Sequence, residues 1–391
     1  MATRVEHGAL RPPLTAEIGA FLRHLDYLLL AVVGAVVAYG LWVLADVTRH
    51  DVPGEADFYL VRQSVYVVFG AIVLTVAATI NPDVYRRYGR VLYGVMLFLL
   101  LIVLVVGDDV RGSKRWIEFG TFNFQPSELG KVLFILFFAG FVADRARRIE
   151  ELRTTLAAVG LALPPILLVF KEPDFGTALI YAAAVGAILL LACVPWSHLA
   201  VLAATAGLVI TGIVWLLPAA GLDVLQPYQV DRLIGFLDPD VDPSGTTYNV
   251  NQSITAVGSG GLDGRGVSGA TQTNMNYLPE HKTDFVFSAL AEQRGFLGAS
   301  ILLLLYALIA WRGIKVIAVA RDLFSATVAG AIVAMFLFQV FVNVGMTIGI
   351  APITGIPLPF VSFGGSSLIT MMFMVGLLEA IHVRGRLAGR S

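Results

Sequence analysis

The chain has 391 residues, of which 57% are hydrophobic and only 14% are charged, and its mean hydropathy is +0.79. Soluble domains are about 45–50% apolar and about 25% charged, so this composition argues against a soluble protein. With a net charge of −1, the chain has no overall positive charge that would attract nucleic acid. The single cysteine, Cys193, excludes an intrachain disulfide and a cysteine-based metal site.

The apolar residues come in blocks of roughly 17–25, the length of a helix that crosses a hydrocarbon core about 30 Å thick. These blocks lack the polar stripes that a large soluble all-α protein would need. The first block is longer than the apolar part of a signal peptide and predicts a retained span. We expect an all-α polytopic membrane protein, one domain over 1–391, with ten transmembrane helices near 27–45, 59–80, 91–107, 128–143, 154–170, 176–193, 199–217, 285–310, 323–351 and 361–382.

The positions of Lys and Arg predict the orientation of the ten helices. Of the 27 basic residues, 16 lie in the termini and in the loops on the same side as the termini. This bias predicts that both termini are cytoplasmic. It places the 108–127 segment and a large loop, 218–284, on the extracellular side.

The first charged outer segment runs from Arg111 to Val132. Arg111, Lys114 and Arg115 oppose the general charge bias and lie beside Trp116. They suit a diphosphate, which arginine can bind through two hydrogen bonds. Anchoring to lipid headgroups, with Trp116 at the membrane interface, explains them equally well.

Glu128 and Lys131 begin the fourth predicted helix, three residues apart and therefore on one face. A charge near the centre of a membrane helix costs roughly 2.5–3.5 kcal/mol, and less near its ends. The pair is therefore expected to face the bundle interior or a wet cavity. A purely structural ion pair is the alternative.

Two further outer segments carry charge. Lys171 and Asp174 flank a short turn that ordinary turn chemistry explains when it is taken alone. Taken with the other outer segments, they are a further cation and a further carboxylate, and both are candidate substrate-binding residues, as is Ser366. Asp284 follows His281 and Lys282 and directly precedes the eighth helix. A carboxylate there is stabilised by the helix dipole, typically by 0.3–1 kcal/mol, so a helix-cap role explains Asp284 alone.

Two glycine-rich stretches complete the outer side. The run from Gly258 to Gly269 suits close approach of the backbone to a ligand, although a flexible surface loop is favoured for the glycines alone. The stretch from Gly349 to Ser367 is dense in Pro and Gly, and its polar side chains are hydroxyls such as that of Ser366. It is expected to pack over the mouth of a cavity.

The segments "GSKRWI…QPSELGK", "KEPDFGTALI", "AVGSGGLDGRG…GATQTNMNYLPEHKTDFVFSALAE" and "NVGMTIGIAPITGIPLPFVSFGGSS" resemble, in order, the hallmark segments of the SEDS family (shape, elongation, division and sporulation). The segment "GATQTNMNYLPE" is more similar to the sequences of the elongation branch, RodA, than to those of the division branch, FtsW. The resemblance implies a peptidoglycan glycosyltransferase of the bacterial cytoplasmic membrane that uses lipid II. It also implies a class B penicillin-binding protein as partner, beside the glycan strand and membrane lipids.

The resemblance also assigns residues. The family's essential extracellular aspartate falls on Asp284, its functional Glu and Lys on Glu128 and Lys131, and its basic residues before a Trp on Lys114 and Arg115. The chain departs from the usual pattern at Lys282, where a His is common, and at Arg294, which enters the eighth helix.

The expected chemistry uses Asp284 as the general base for a sugar hydroxyl. Lys114, Arg115, Lys131 and Lys282 would stabilise the diphosphate. A divalent cation, Mg or Mn, is a further expectation, with Asp284 or Glu128 as an oxygen ligand, and no organic cofactor is expected. A lipid II flippase and a non-catalytic scaffold for the penicillin-binding protein are the alternatives.

Overall fold

The computed structural model of the chain describes residues 19, 21–110, 113–120, 122–216, 218 and 247–389. In this part of the chain, eight helices are long and apolar enough to cross a membrane. They are α1 (Tyr27–Val47), α2 (Phe58–Thr79), α4 (Gly89–Val106), α5 (Pro126–Ala143), α6 (Leu152–Lys171), α12 (Val286–Val319), α13 (Leu323–Thr347) and α14 (Gly365–Ala388).

Two shorter apolar helices, α7 (Phe175–Leu191) and α8 (Trp196–Thr211), coincide with the predicted sixth and seventh spans, and α8 continues into a π-helical turn, Gly212–Leu216. The prediction of a helical, multi-pass membrane protein is confirmed. The count of ten spans stays a prediction.

Short polar side chains begin several helices. Asp26 accepts a hydrogen bond from the Leu29 amide at α1, and Asp322 accepts one from the Ser325 amide at α13. Asn81 caps the short helix α3 (Pro82–Arg87), whose proline occupies the first turn, where no backbone donor is needed. These caps satisfy backbone amides that a helix start would otherwise leave unpaired.

The centre of the bundle consists of α5, α13 and α14, whose apolar windows are 89%, 72% and 83% buried. The corresponding values for α2 and α4 are 17% and 22%, so these two helices lie at the lipid-facing periphery. Small residues permit close helix contacts: a Cβ at Gly376 of α14 would lie 2.4 Å from the Leu74 carbonyl oxygen of α2.

The segment after α4 forms a three-stranded antiparallel sheet that the all-α prediction missed. Strands β1 (Asp108–Val110), β2 (Ser113–Phe119) and β3 (Phe122–Phe124) follow the order β1–β2–β3. Glu118 faces Asn123 across the last pair, and Gly120, with φ +62°, permits the turn. Arg111 and the side chain of Lys114 lie outside the described residues.

The described part of the large loop is helical, so a flexible glycine loop is the wrong interpretation. It contains α9 (Tyr248–Gly260), α10 (Gly266–Gly269) and α11 (Thr271–Asn274). Gly264 (φ +81°) would place a Cβ 2.3 Å from the Gln293 carbonyl oxygen of α12, which kinks at Gly295 (φ +66°). The glycines therefore do permit a close backbone approach, but the backbone approaches helix α12 of the same chain and not a ligand. Residues 219–246 of this loop lie outside the described residues.

Candidate active site

A cavity of about 700 Å³ lies at the end of the bundle that carries the sheet. The sheet, the starts of α5 and α7, the residues before α12 and the 353–367 segment form its walls. The predicted site residues that line it are Arg115, Glu128, Asp174, Asp284 and Ser366. Residues as far apart in the sequence as Arg115 and Ser366 therefore meet in one cavity.

The backbone that carries Asp284 is held at three consecutive carbonyl groups. The Phe363 amide donates to the Lys282 carbonyl over 2.8 Å, and the Ser362 hydroxyl donates to the Thr283 carbonyl. The side-chain amide of Asn343 donates to the Asp284 carbonyl at 3.0 Å and to the Ile356 carbonyl at 2.8 Å. These hydrogen bonds, which are partly shielded from solvent, hold the backbone of Asp284 in one position at the cavity wall.

Asp284 is not the N-cap residue of α12. Helix α12 begins at Val286, and its N-cap residue is Phe285, whose side chain makes no capping hydrogen bond. Stabilisation of the Asp284 carboxylate by the helix dipole stays a prediction. The Phe285 amide instead bonds to the carbonyl of Glu280, which has φ +52°, so a tight turn precedes the helix. The chain also leaves space beside the carboxylate, because a Cβ at Gly355 (φ +70°) would lie 3.6 Å from Oδ2 of Asp284.

Glu128 and Lys131 form a buried ion pair with Oε1 and Nζ 2.7 Å apart, and the two side chains are 2% and 0% exposed. The predicted interior position is confirmed. Glu128 lines the cavity, whereas Lys131 lies behind it. The second oxygen of Glu128, Oε2, is buried and has no hydrogen-bond partner within the described chain.

Gln125 connects several walls of the cavity and was not predicted as a site residue. Its side-chain amide donates to Oδ2 of Asp174 at 2.9 Å, and its backbone amide donates to the Ser366 hydroxyl at 3.0 Å. Asp174 also caps α7 through the Thr177 amide, and Ser366 donates to the Asn123 carbonyl. Asp174 and Ser366 thus join elements as well as line the cavity.

The geometry can be compared with known proteins. The FtsW/RodA/SpoVE family, described as "Cell cycle protein", matches residues 22–387. The chain belongs to this family. The chain is similar to the Escherichia coli K12 protein named peptidoglycan glycosyltransferase MrdB, at 35% identity over 94% of this chain and 96% of that protein.

Solved structures of the FtsW/RodA/SpoVE family have the same fold. One comes from work on "structural coordination of polymerization and crosslinking by a peptidoglycan synthase complex", with a TM-score of 0.79 at 31% identity over 92% of this chain and 98% of that chain. Another is rod shape determining protein RodA from Thermus thermophilus, with a TM-score of 0.66 at 28% identity over 92% and 96%.

Within this family fold, two predicted binding residues besides Lys131 do not line the cavity. Lys171 is exposed at the last turn of α6. Lys282 points to Asp51, with Nζ 3.0 Å from Oδ2, and lies over the ring of Tyr59. Nε2 of His281 donates a hydrogen bond to the other oxygen of Asp51 at 2.8 Å. Lys282 therefore anchors the Asp284 segment to the loop before α2.

Charge explains this anchoring. Burial raises the pKa of Asp51, but the hydrogen bonds and charges of His281 and Lys282 outweigh burial and hold that pKa below its ordinary value. Burial lowers the pKa of Lys282, but Asp51 outweighs it and holds that pKa above its ordinary value. Both groups remain charged across the physiological range, so the anchor persists there.

Glu172, next to the cavity, is a second residue that the sequence reasoning left out. It is fully buried just after α6. Burial and the neighbouring Asp174 raise the pKa of Glu172 to about 9, against the opposite effect of Arg115. At neutral pH it is therefore a protonated donor rather than an anion.

The described wall of the cavity is acidic, and of the described cations that were expected to stabilise a diphosphate, Arg115 alone lines it. Among the described lining residues, Arg115 is the one cation, and the carboxylates are Glu118, Glu128, Asp174, Glu280 and Asp284. No group of three or more metal-ligating side chains occurs in the described residues. The carboxylates nevertheless supply the oxygen donors that Mg²⁺ and Mn²⁺ prefer.

Proposed function

We propose that this protein is a peptidoglycan glycosyltransferase of the cytoplasmic membrane that polymerises lipid II into glycan strands during cell elongation. The observation that carries the proposal is that Asp284, Glu128 and Arg115 line one cavity at the end of a membrane bundle. The likeness to MrdB and to RodA supports the reaction and the elongation branch.

In the proposed reaction, Asp284 is the general base. The acceptor hydroxyl gives its proton to Asp284 while its oxygen bonds to the anomeric carbon of the donor sugar. The bond from that carbon to the diphosphate breaks as the new bond forms, its electron pair leaves with the diphosphate oxygen, and undecaprenyl diphosphate is released. A positioned base accelerates such a step by roughly 10²–10⁴-fold. The hydrogen bonds to the backbone carbonyls of residues 282–284 provide this positioning.

Arg115 is proposed to offset the charge of the diphosphate. Lys131 is proposed to offset the charge of Glu128, and so to reduce the repulsion between that carboxylate and the diphosphate. An acidic wall repels a diphosphate, so we also propose that a divalent cation, Mg or Mn, accompanies the substrate. Mg²⁺ is commonly held by one or two carboxylates and substrate phosphates, and Asp284 or Glu128 would hold it. With Asp284 as the base, Glu128 would be the ligand. Such an ion would neutralise phosphate charge. No organic cofactor is proposed.

We propose that both termini are cytoplasmic and that the cavity opens to the outside, which places it where cell-wall polymerisation occurs. The excess of Lys and Arg on the side of the termini supports this orientation. A class B penicillin-binding protein is the proposed partner, supported by the likeness to a chain of a peptidoglycan synthase complex.

A flippase would need polar groups along a path through the membrane. Charged groups are not confined to the end of the bundle with the Asp284 cavity, because Arg312 pairs with Asp26, next to Glu379, at the other end. Between the cavity with Asp284 and the Arg312–Asp26 pair, however, α5 contributes a buried apolar run. It includes Phe134 and Phe138, whose side chains are 0% and 1% exposed. This barrier favours an enzyme over a flippase.

The test uses purified protein with its partner and lipid II in detergent, where no membrane has to be crossed. Asp284→Asn should lower strand formation by roughly 10²–10⁴-fold while complex formation stays intact. Glu118→Gln, which removes another carboxylate from the same cavity wall, is the matched control and should keep most of the activity. Wild-type rates for Asp284→Asn would refute the assignment of the base, and an inactive wild type would favour the flippase or scaffold.

A further inference from the structure

A second large cavity, which the proposed reaction does not use, lies at the other end of α4 and α5. Its volume is about 770 Å³, and it lies between α3, α4, α5 and α6. Helix α5 starts at the acidic cavity and ends at this groove after 18 residues, which is about 27 Å. That distance is close to the roughly 30 Å thickness of a bilayer core. The groove therefore belongs to the opposite leaflet.

The rim of the groove is rich in arginine. Arg86, Arg87, Arg90 and Arg145 line it, together with Asp83 and Asp144. Both acids are already neutralised: Asp144 lies 2.7 Å from Arg86, and Asp83 lies 2.9 Å from Arg321. Within the described chain, Arg87, Arg90 and Arg145 form no salt bridge, so the groove keeps a positive excess.

The floor of the groove is apolar, and contacts among its side chains hold the surrounding helices together. The ring of Tyr93 lies 4.3 Å from that of Phe137, and its hydroxyl donates to the Leu161 carbonyl at 2.8 Å, which ties α4 to α5 and α6. Arg145 stacks on Phe141, with 3.9 Å between its guanidinium carbon and the ring centre. Gly140 also lines the groove, and a Cβ there would lie 3.9 Å from Cγ of Arg86. Arginine therefore sits above an aromatic surface.

We propose that this groove binds an anionic glycerophospholipid, such as phosphatidylglycerol or cardiolipin, from the leaflet opposite the active-site cavity. Arginine recognises phosphate through charge-assisted hydrogen bonds, and basic pockets between membrane helices on the cytoplasmic side are suited to such headgroups. The aromatic floor accepts the glycerol and the first acyl carbons. A free phosphate would use the arginines but leave this floor uncovered, so a lipid is the better match.

This inference is independent of the proposed reaction. The groove lies one membrane thickness from Asp284, and none of its arginines belongs to the catalytic site. A lipid bound there would bridge α4 and α6 to the buried helix α5, and so stabilise the bundle from its second leaflet.

Native mass spectrometry of the detergent-purified protein tests the proposal. Phosphatidylglycerol and cardiolipin should be retained, and phosphatidylethanolamine and phosphatidylcholine should not. Each of Arg87→Gln, Arg90→Gln and Arg145→Gln should weaken retention roughly fivefold, because one arginine near an anionic lipid surface has about that effect. The triple variant should lose retention almost completely.

The matched control is Arg147→Gln with Arg148→Gln. These two arginines are exposed on the same face, in the 3₁₀ turn after α5, but do not line the groove. Equal loss in this control would show a general charge effect and overturn the site. Equal retention of zwitterionic lipids, or displacement of the lipid by glycerol phosphate, would also overturn it. Should the triple variant fail to fold, the single variants of the exposed Arg87 and Arg90 test the same site.

Discussion

The ammonium group of Lys131 lies 2.7 Å from Oε1 of Glu128, one helical turn away, and both side chains are buried inside the bundle. Glu128 reaches the cavity, but Lys131 reaches it only through Glu128. A buried charge that loses its partner is costly, whereas the neutral replacement of both partners is much less so. The pair can therefore be dissected by single and double variants.

Lys131→Met should destabilise the protein by roughly 3–5 kcal/mol, because it leaves the Glu128 carboxylate buried without its cation. The double variant Lys131→Met with Glu128→Gln should recover much of that stability and remain inactive on lipid II. Thermal unfolding in detergent and a strand-formation assay measure the two effects. Recovery of activity together with stability would show that the pair is only structural.

Glu172 should make stability depend on pH. Its pKa is raised to about 9, so the folded protein binds a proton that the unfolded chain releases near its ordinary pKa of about 4.3. This favourable contribution is complete below that value and is lost as pH rises towards 9. Glu172→Gln, which cannot ionise, should unfold at a higher temperature than wild type at pH 8 and at a similar temperature at pH 5. At pH 8 the free energies of unfolding of the two proteins should differ by a few kcal/mol, in order of magnitude. A parallel shift at both pH values would contradict the buried-acid explanation.

The sequence alone predicted much of the architecture because membrane spans need long apolar blocks. The span positions and the buried Glu128–Lys131 pair follow from that rule, and the resemblance to the SEDS family pointed to Asp284. The sheet was missed since "SKRWIEF" is a charged strand with no regular alternation between apolar and polar residues.

Other features depend on contacts between distant residues that no local pattern encodes. The pairing of Lys282 with Asp51 joins positions 231 apart, and the Asn343 bond to Asp284 joins positions 59 apart. Lys282 therefore looked like a substrate ligand when only its neighbours in the sequence were considered. The acidic character of the cavity was missed for the same reason, because its carboxylates come from separate segments of the chain.

Arg115 should dominate the affinity for the lipid diphosphate, because it is the one cation among the described lining residues. A hydrogen bond to a charged group contributes about 1.5–3 kcal/mol, so Arg115→Gln should raise KM for lipid II by roughly 10–100-fold. Arg115→Lys should recover part of the loss. Lys171→Gln serves as the control, since it removes an exposed cation outside the cavity, and should leave KM unchanged. An equal rise in KM for both variants would point to long-range attraction of the substrate instead of contact.

Asn343 should act on the reaction without touching the substrate. Its side-chain amide holds the Asp284 and Ile356 carbonyls, and Asn343→Leu leaves both without this donor. Each unsatisfied buried group costs about 1–3 kcal/mol, and a displaced base lowers kcat more than it changes KM. Ser325→Ala, which removes a nearly buried polar side chain near the start of the same helix, α13, separates general destabilisation from this effect. A fall in unfolding temperature with kcat unchanged would show that Asn343 supports the fold but does not position Asp284.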